Sequence, residues 1–401
     1  MARKIIYFDY AATTPLDSLV LKAMMPYLKS AYGNPSSIHY LGQQALGAME
    51  DARRKVSDFL ECSSREIIFT GSATEADNLA LIGLVEKFKE ANPTSAPHVI
   101  TSQIEHDAIL ETCKVLEKQG AEVTYLAVNK EGLIPIADID QAIRKNTILV
   151  SIMYANNEIG TIQPIAEIGR LLKKKNDELK YKIYFHTDAV QAINYLDCNI
   201  DKLGVDLLTL SGHKIYGPKG IGALYVRRET PLDPIIFGGG QGFGLRSGTE
   251  NVAGIVGLGA AIEQVKNNKV KAKNIQKFRD KIMKGILKTV PDVKLNGSVV
   301  HRLPNNINFS FKGAEGEAIV ILLDQEGICA STGSACSAKS LVPSHVLLAL
   351  GLSEEEAHTS LRLSIGKYTT NQEVNKLLSV LPKIVKKLRK ISGEFPDIHQ
   401  Y

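Results

Sequence analysis

The feature that most constrains this chain is a regular alternation of apolar and amphipathic segments. Apolar runs of strand length occur at Glu66–Thr70, His98–Ser102, Val123–Ala127, Ile148–Ala155, Lys182–Phe185 and Leu207–Leu210. Helical patterns lie between most of them. In 75–90, Leu81, Leu84, Val85 and Phe88 fall at i, i+3, i+4 and i+7, which is one face of a helix. In 107–119, Ile109, Cys113 and Leu116 repeat that spacing, and Gly120 is placed to end the helix. A helix over about 39–60 precedes the series, after the turn-rich segment Tyr32-Gly-Asn-Pro-Ser-Ser37. Strands alternating with one-faced helices imply right-handed βαβ units and an α/β fold, a mainly parallel sheet covered by helices. Ligands of such sheets collect at the carboxyl ends of the strands.

The pattern changes near residue 260. One long lysine-rich helix is predicted over 262–290, then a strand at Asn306–Phe311, a helix at Glu315–Leu323, a loop over Ala330–Pro343 and a strand at Ser360–Ser364. A long C-terminal helix follows, which Pro382 should kink or split. The expected organisation is a large domain over 15–260 and a smaller α+β domain made of 1–14 and 261–401. A chain of 401 residues has length for two such packed units.

Composition excludes several classes. Hydrophobic residues make up 44% of the chain and charged residues 23%, so a large core is available. The net charge is +5, and the lysines are dispersed apart from Lys173–Lys175 and the 386–390 stretch, both read as solvated helix faces. No basic stripe points to direct nucleic-acid binding. The apolar run near the N-terminus spans only four residues, too short for a signal peptide, and no stretch approaches membrane-spanning length, so a cytoplasmic protein without membrane contact is expected. The five cysteines form no CxxC pair, which argues against a disulfide framework and against a metal site.

Candidate chemistry gathers where the strands end. Leu207–Leu210 breaks at Ser211-Gly212 and presents His213 and Lys214 before three further Gly/Pro positions. A lysine there loses hydration, which favours the neutral, nucleophilic amine that a Schiff-base lysine needs; alone it would read as a surface lysine. After Glu66–Thr70, the segment Gly71-Ser-Ala-Thr-Glu-Ala-Asp77 opens a helix with capping-box spacing at Ser72/Glu75 or Thr74/Asp77. Its free N–H groups suit a phosphate, although the same segment also reads as a well-capped helix and nothing more. With no GxxxxGK[ST] in the chain, a nucleotide is the weaker reading. His106 follows the next strand, Asn156-Asn157-Glu158 the strand after that, and Asp188 with Gln191 the one at 182–185. A carboxylate at a buried strand end needs a cationic partner, which a protonated pyridine nitrogen would supply. Lysine, carboxylate, phosphate cradle and ring-stacking histidine together are the parts of a pyridoxal phosphate site.

A second centre lies in the 330–343 loop. Small residues surround Cys336, so an exposed thiol is expected there, a candidate nucleophile. Cys113 and Cys329 read instead as buried small hydrophobes, while Cys62 and Cys198 have no chemical context. Arg362 sits inside the apolar strand Ser360–Ser364, where a guanidinium needs a partner such as a substrate carboxylate.

These residues stand in motifs that resemble the cysteine desulfurases, fold type I pyridoxal phosphate enzymes, over nearly the whole chain. The matching stretches are Tyr7-Phe-Asp-Tyr-Ala-Ala-Thr-Thr14, Gly33-Asn-Pro-Ser-Ser37, Ala73-Thr-Glu-Ala-Asp-Asn78, Glu105-His106, Asn156-Asn-Glu-Ile-Gly160, Asp188-Ala-Val-Gln191, Ser211-Gly-His-Lys214, Arg246-Ser-Gly-Thr-Glu-Asn251, Ser334-Ala-Cys-Ser337 and Arg362-Leu-Ser-Ile-Gly366. The resemblance implies that Lys214 holds the cofactor, that Asp188 and Gln191 meet its ring nitrogen and phenolic oxygen, and that His106 stacks on the ring and handles protons. It implies phosphate contacts from Ala73, Thr74, Ser211 and His213, with Thr249 arriving from the other subunit of a homodimer. Asn157, Arg362 and Asn34 would bind the substrate, Asn157 also touching the cofactor. Cys336 would accept sulfur from L-cysteine as a persulfide, releasing L-alanine and passing sulfur to an acceptor such as an iron–sulfur scaffold protein. The long Gly/Ser/Ala cysteine loop is similar to that of the housekeeping and nitrogenase-linked group. Val342 replaces a commonly acidic residue, and the chain ends at Tyr401 without the longer tail by which housekeeping members dock a scaffold, which leaves that partner open. A selenocysteine lyase or an aminotransferase of the same fold is the alternative, distinguished by having no need of Cys336. A non-catalytic sulfur-relay protein would need none of Lys214, His106 and Asp188.

Overall fold

The computed structural model describes residues 5–179, 181–266, 269–333 and 342–393. Among the described residues the largest unit is a seven-stranded sheet in the order Ile67–Thr70, Gly222–Val226, Leu207–Ser211, Tyr184–Asp188, Thr147–Ser151, His98–Ser102 and Glu122–Leu126. All neighbours run parallel except Gly222–Val226, which is antiparallel to both strands beside it. The α/β class and mainly parallel sheet expected from the sequence are therefore the architecture found. All six anticipated strands form, within a few residues of their expected limits. One shift matters: Asp188 is the last residue of the Tyr184–Asp188 strand, not a residue beyond it. The antiparallel strand Gly222–Val226 was not anticipated, because it follows the Gly/Pro-rich turn after Lys214 so closely that it reads as part of that turn.

The central strands Thr147–Ser151 and Leu207–Ser211 are buried along their whole length. Both faces of the sheet are covered, which is why these strands are continuously apolar instead of alternating. One core lies against helices Tyr40–Leu60, Ile165–Glu178 and Val252–Lys266, and the other against Ala73–Ala91 and Asp107–Lys118.

The sequence predicts one helix over 262–290; the described residues are helical over Val252–Lys266 and Lys269–Thr289, and 267 and 268 lie outside them. The two stretches differ in character, which lysine content alone conceals. The first is apolar nearly all round and packs into the large core through Ile255, Leu258, Ile262 and Val265. Glycines let it approach its neighbours: a Cβ on Gly259 would stand 2.8 Å from the Cα of Ala52 on the Tyr40–Leu60 helix. The second presents one apolar stripe, through Ile275, Ile282, Met283 and Ile286, to a separate core.

That separate core joins Ile6 and Phe8 to residues from 275 onward. An antiparallel sheet of Val293–Leu295, Asn306–Phe311 and Ser360–Ser364 forms its floor. The strand Ile6–Tyr7 pairs in parallel with Ile328–Cys329. Cys329 is only partly buried, contrary to expectation, because Ile328 takes the core-facing side of this short strand and the next residue faces the other way. Cys113 is fully buried, as its place on the helix face required. Helix Asn371–Ser392 runs unbroken through Pro382; a buried stripe of Val374, Leu377, Leu381, Ile384 and Val385 holds it across the missing N–H.

Gly259→Leu should lower stability by about 1–3 kcal/mol through overpacking against Ala52. Gly47→Ala, on the exposed side of the same Tyr40–Leu60 helix with nothing within 4 Å, should be neutral or stabilise by up to about 1 kcal/mol. Thermal melts of the two variants beside the parent check the contrast.

Candidate active site

A cleft of about 480 Å³ opens at the carboxyl ends of the parallel strands, within the usual size range of small-molecule sites. Into it converge Ala73, Thr74, His106, Asn157, Asp188, Gln191, Ser211, His213, Lys214 and Arg362. Ten of the thirteen residues singled out from the sequence thus share one cavity. Asn34 does not reach it: the residue is exposed in its turn, where its Oδ1 accepts the Ser36 N–H at 2.9 Å. Thr249 is also exposed and lines a separate cavity of about 100 Å³ with Arg53, Gly71 and Arg246. Cys336 lies outside the described residues. Gly333 and Ser344, on either side of its loop, both line the cleft. Arg362 Nη1 donates to Gly333 O at 3.2 Å, and the Ser344 hydroxyl donates to Glu158 Oε2 at 2.5 Å.

The phosphate-type end is built from a helix start. Of the two cap spacings legible in the sequence, Ser72/Glu75 is used. Ser72 is the N-cap of Ala73–Ala91 and accepts the Glu75 N–H at 3.1 Å. The Glu75 carboxylate accepts from Gly71 N at 2.8 Å and pairs with Arg246 Nε at 2.9 Å. This leaves Ala73 and Thr74 at the positive end of the helix dipole, facing the cleft. Ser211 and His213 close the other side. Burial lowers His213 to about 4, with Lys214 acting in the same direction, so its imidazole is neutral near pH 7.

Lys214 ends the short turn after Leu207–Ser211. Its Nζ donates to Ala11 O at 2.6 Å and Ala12 O at 2.9 Å, and Gln191 Nε2 reaches the same Ala11 carbonyl at 3.0 Å. The turn is held from behind by Tyr216, a buried non-glycine residue at φ 66, in the left-handed region. Such strain persists only where packing enforces it. Here the Tyr216 hydroxyl accepts the Lys367 N–H at 2.8 Å, its ring lies 4.2 Å below the Lys367 ammonium, and its own N–H is held by Thr14 at 2.7 Å.

At the opposite end Asp188 is nearly buried, and its Oδ1 accepts Val190 N–H at 2.8 Å. Burial pushes its carboxyl upward, against the opposing influence of His106, the Val190 N–H and Lys214. His106 caps the Asp107–Lys118 helix, accepting Ala108 N–H through Nδ1 at 3.1 Å. Arg362 is held by Asp9 Oδ1 at 2.8 Å and by Asn157 O at 3.2 Å, and its buried Nε has no hydrogen-bond partner among the described residues.

Four further carboxyls line the cleft without having been assigned a role from the sequence: Asp77, Glu105, Asp107 and Glu158. All but Asp107 are buried. Glu105 and Glu158 each stand just past a buried strand, so the strand-end rule that found Asp188 would also have found them. Glu105 accepts Met153 N–H at 2.9 Å and the Ser102 hydroxyl at 2.5 Å, and burial still raises it to about 8.

The donor set fits pyridoxal phosphate end by end. A helix N-terminus with two hydroxyl residues matches a phosphate, Lys214 an aldehyde carbon, and the buried Asp188 carboxyl a protonated ring nitrogen. A cation beside Asp188 would offset the burial that now disfavours its charged form.

Glu105 gives a pH dependence of stability. An unfolded glutamate ionises near 4.5 and the folded one near 8, so between those values unfolding releases a proton. Its contribution is fully present below the unfolded value and is lost as pH rises through the folded one. Glu105→Gln should therefore flatten the fall in melting temperature of the cofactor-free protein between pH 5 and 8; parallel curves for variant and parent would contradict the assignment.

Comparison with known proteins agrees with this geometry. The Aminotransferase class-V family model matches residues 6–377. A cysteine desulfurase IscS of Dictyoglomus turgidum is 50% identical over 388 residues, covering 96% of each chain. One from Methanosarcina thermophila is 49% identical, covering 98% of this chain and 95% of its own. Among solved structures, a NifS-like protein superposes with a TM-score of 0.86 at 37% identity, covering 98% of this chain and 100% of its own. SspA in complex with cysteine gives a TM-score of 0.79 at 40% identity over 91% of this chain and 100% of its own. The chain belongs to the aminotransferase class-V family, among the IscS- and NifS-type cysteine desulfurases.

Proposed function

We propose that this protein is a pyridoxal phosphate-dependent cysteine desulfurase that converts L-cysteine to L-alanine and leaves the sulfur on Cys336. The observation that carries the reading is that both flanks of the Cys336 loop line the cleft that holds Lys214. An aminotransferase or a selenocysteine lyase would make no use of that placement.

Lys214, Asp188, Gln191, His106, Ser211, His213, Ala73 and Thr74 hold the cofactor, which when bound supplies an electron sink for the substrate Cα. Arg362 orients the substrate carboxylate, with Asn157 beside it. With the group bound, the Lys214 amine would take the Cα proton and the Asp188 carboxylate would keep the ring nitrogen protonated. His106, which lines the same cleft, would receive the substrate thiol proton. The Cys336 sulfur bonds to the substrate sulfur and the substrate C–S bond breaks, its electron pair staying on carbon. A proton completes alanine, and a persulfide remains on Cys336 for an acceptor protein, such as an iron–sulfur scaffold.

The enzyme acts as a homodimer in this reading. Thr249 does not line its own chain's cleft, and in this reading it serves the partner's. Tyr32, Ile38, Tyr40 and Phe237 are 75%, 94%, 78% and 82% exposed, large apolar groups that an interface would cover. No described helix is long and apolar enough to cross a membrane, in keeping with a cytoplasmic enzyme.

Cys336→Ser should bind pyridoxal phosphate and L-cysteine as the parent does. It should lose alanine release by about three orders of magnitude or more, as removal of a nucleophile does elsewhere, and carry no protein persulfide. Turnover of cysteine at the parent rate would overturn the reading in favour of a reaction that needs no protein thiol. Light scattering should report a dimer, and a fully active monomer would remove Thr249 from the site.

A further inference from the structure

Asp77 is the buried cleft carboxyl with neither oxygen in a well-formed hydrogen bond among the described residues. It lies one turn into the Ala73–Ala91 helix, on the face shared with Ala73 and Thr74. It is 1% exposed and lines the cleft, yet neither of its oxygens has a hydrogen-bond partner among the described residues. His186 Nε2 stands 3.6 Å from Oδ1, but that ring is already engaged, Nδ1 with Ser151 Oγ at 2.9 Å and Nε2 with Thr209 Oγ1 at 3.1 Å. Burial lowers His186 to about 3, so it brings no charge to the pair. An unpartnered carboxyl in a buried place costs folding free energy, and such costs persist where function uses the group.

Its surroundings say which end of the cleft it serves. His186 and Asp188 are two residues apart on one strand and face the same side of the sheet. Asp77, seated over His186, therefore belongs to the ring-nitrogen end. Two carboxyls sharing one buried space do not both ionise. Asp188 has the Val190 N–H and the opposing influence of His106 and Lys214, whereas burial and the Asp188 charge push Asp77 well above the carboxylate range against the Thr209 hydroxyl alone, which is itself engaged with His186. Glu105 adds to the same push. The proton resides on Asp77, which gives it one O–H to donate.

We propose that Asp77 is a positioning residue of the cofactor site: a neutral carboxylic acid, seated on His186, that donates its O–H into the ring-nitrogen end of the cleft and supports the Asp188 carboxylate there. The inference rests on the pyridoxal phosphate reading of the cleft and adds to it a residue acting through Asp188.

Two variants test it, with pyridoxal phosphate as the probe. Asp77→Ala removes the carboxyl without adding bulk, and Asp77→Asn keeps a neutral hydrogen-bonding group of the same shape. Cofactor-free Asp77→Ala should melt at or above the parent temperature, because the uncompensated group is gone. Its dissociation constant for pyridoxal phosphate, from absorbance titration, should rise about tenfold or more, the usual scale for a hydrogen bond to a charged group. Asp77→Asn should stay within about threefold of the parent. Parent-like binding by Asp77→Ala overturns the proposal. So does equal weakening in both variants, or a cofactor-free Asp77→Ala that melts several degrees lower, either of which marks a structural role. A parent that takes up no pyridoxal phosphate in the same titration overturns the cofactor reading beneath it.

Discussion

The cleft depends on a lysine amine finding its acceptors in a segment some two hundred residues away. Lys214 donates to the carbonyls of Ala11 and Ala12, and these are backbone groups, fixed by the path of the chain and not by a rotamer. Everything else the 5–14 segment does keeps those carbonyls in place. Thr14 donates its hydroxyl to His213 O and accepts from Tyr216 N, so it clasps the lysine turn from both sides. Ala11 N donates to Ser364 and Asp9 pairs with Arg362, which ties the segment to the second sheet. A carboxylate in place of the Ala11 and Ala12 carbonyls would favour the charged amine. Neutral carbonyls orient it with less bias toward the ammonium form.

The same segment explains why the two sheets hold a shared site although each has its own core. Arg362 projects from the Ser360–Ser364 strand into a cleft made by the other sheet, and Tyr216 reaches back to the Gly366–Tyr368 turn. A Cβ on Gly366 would stand 2.3 Å from the Tyr10 ring and 2.5 Å from the Tyr216 hydroxyl. The packing there leaves no room for adjustment, which is what a strained φ at Tyr216 requires.

Much of this was legible in the sequence because period and position speak directly to burial. Continuous apolar runs located six strands, the residues following them located nine members of one cleft, and Arg362 was found inside a later strand. What was not legible has identifiable causes. The strand Gly222–Val226 is hidden by its own turn, and the change of environment between Val252–Lys266 and Lys269–Thr289 by a uniform helical period. Asp9, Ala11 and Ala12 act through pairings more than two hundred residues apart, which no local pattern encodes. Asp77 stands at the alternative Thr74/Asp77 cap spacing, so its carboxyl reads as a capping group until Ser72 and Glu75 are seen to form the cap instead. Thr249 and Asn34 fall outside this chain's own cleft, and a single sequence carries no sign of which subunit a residue serves.

The 5–14 segment also sets the order in which the molecule can be finished. Its partners are at Ile328–Cys329 and at Arg362 and Ser364, the last being 353 positions from Ala11. The N-terminal residues leave the ribosome first, yet their ties to the second sheet become available only when synthesis is nearly over. The large sheet can assemble before then, since its strands lie between 67 and 226. The lysine turn can form with it, but the segment that carries its acceptors and its clasp is not yet anchored on its other side. A nascent or truncated chain thus holds a nearly complete α/β body with an unfinished amine, and cofactor uptake becomes a report that the whole polypeptide, end to end, has closed.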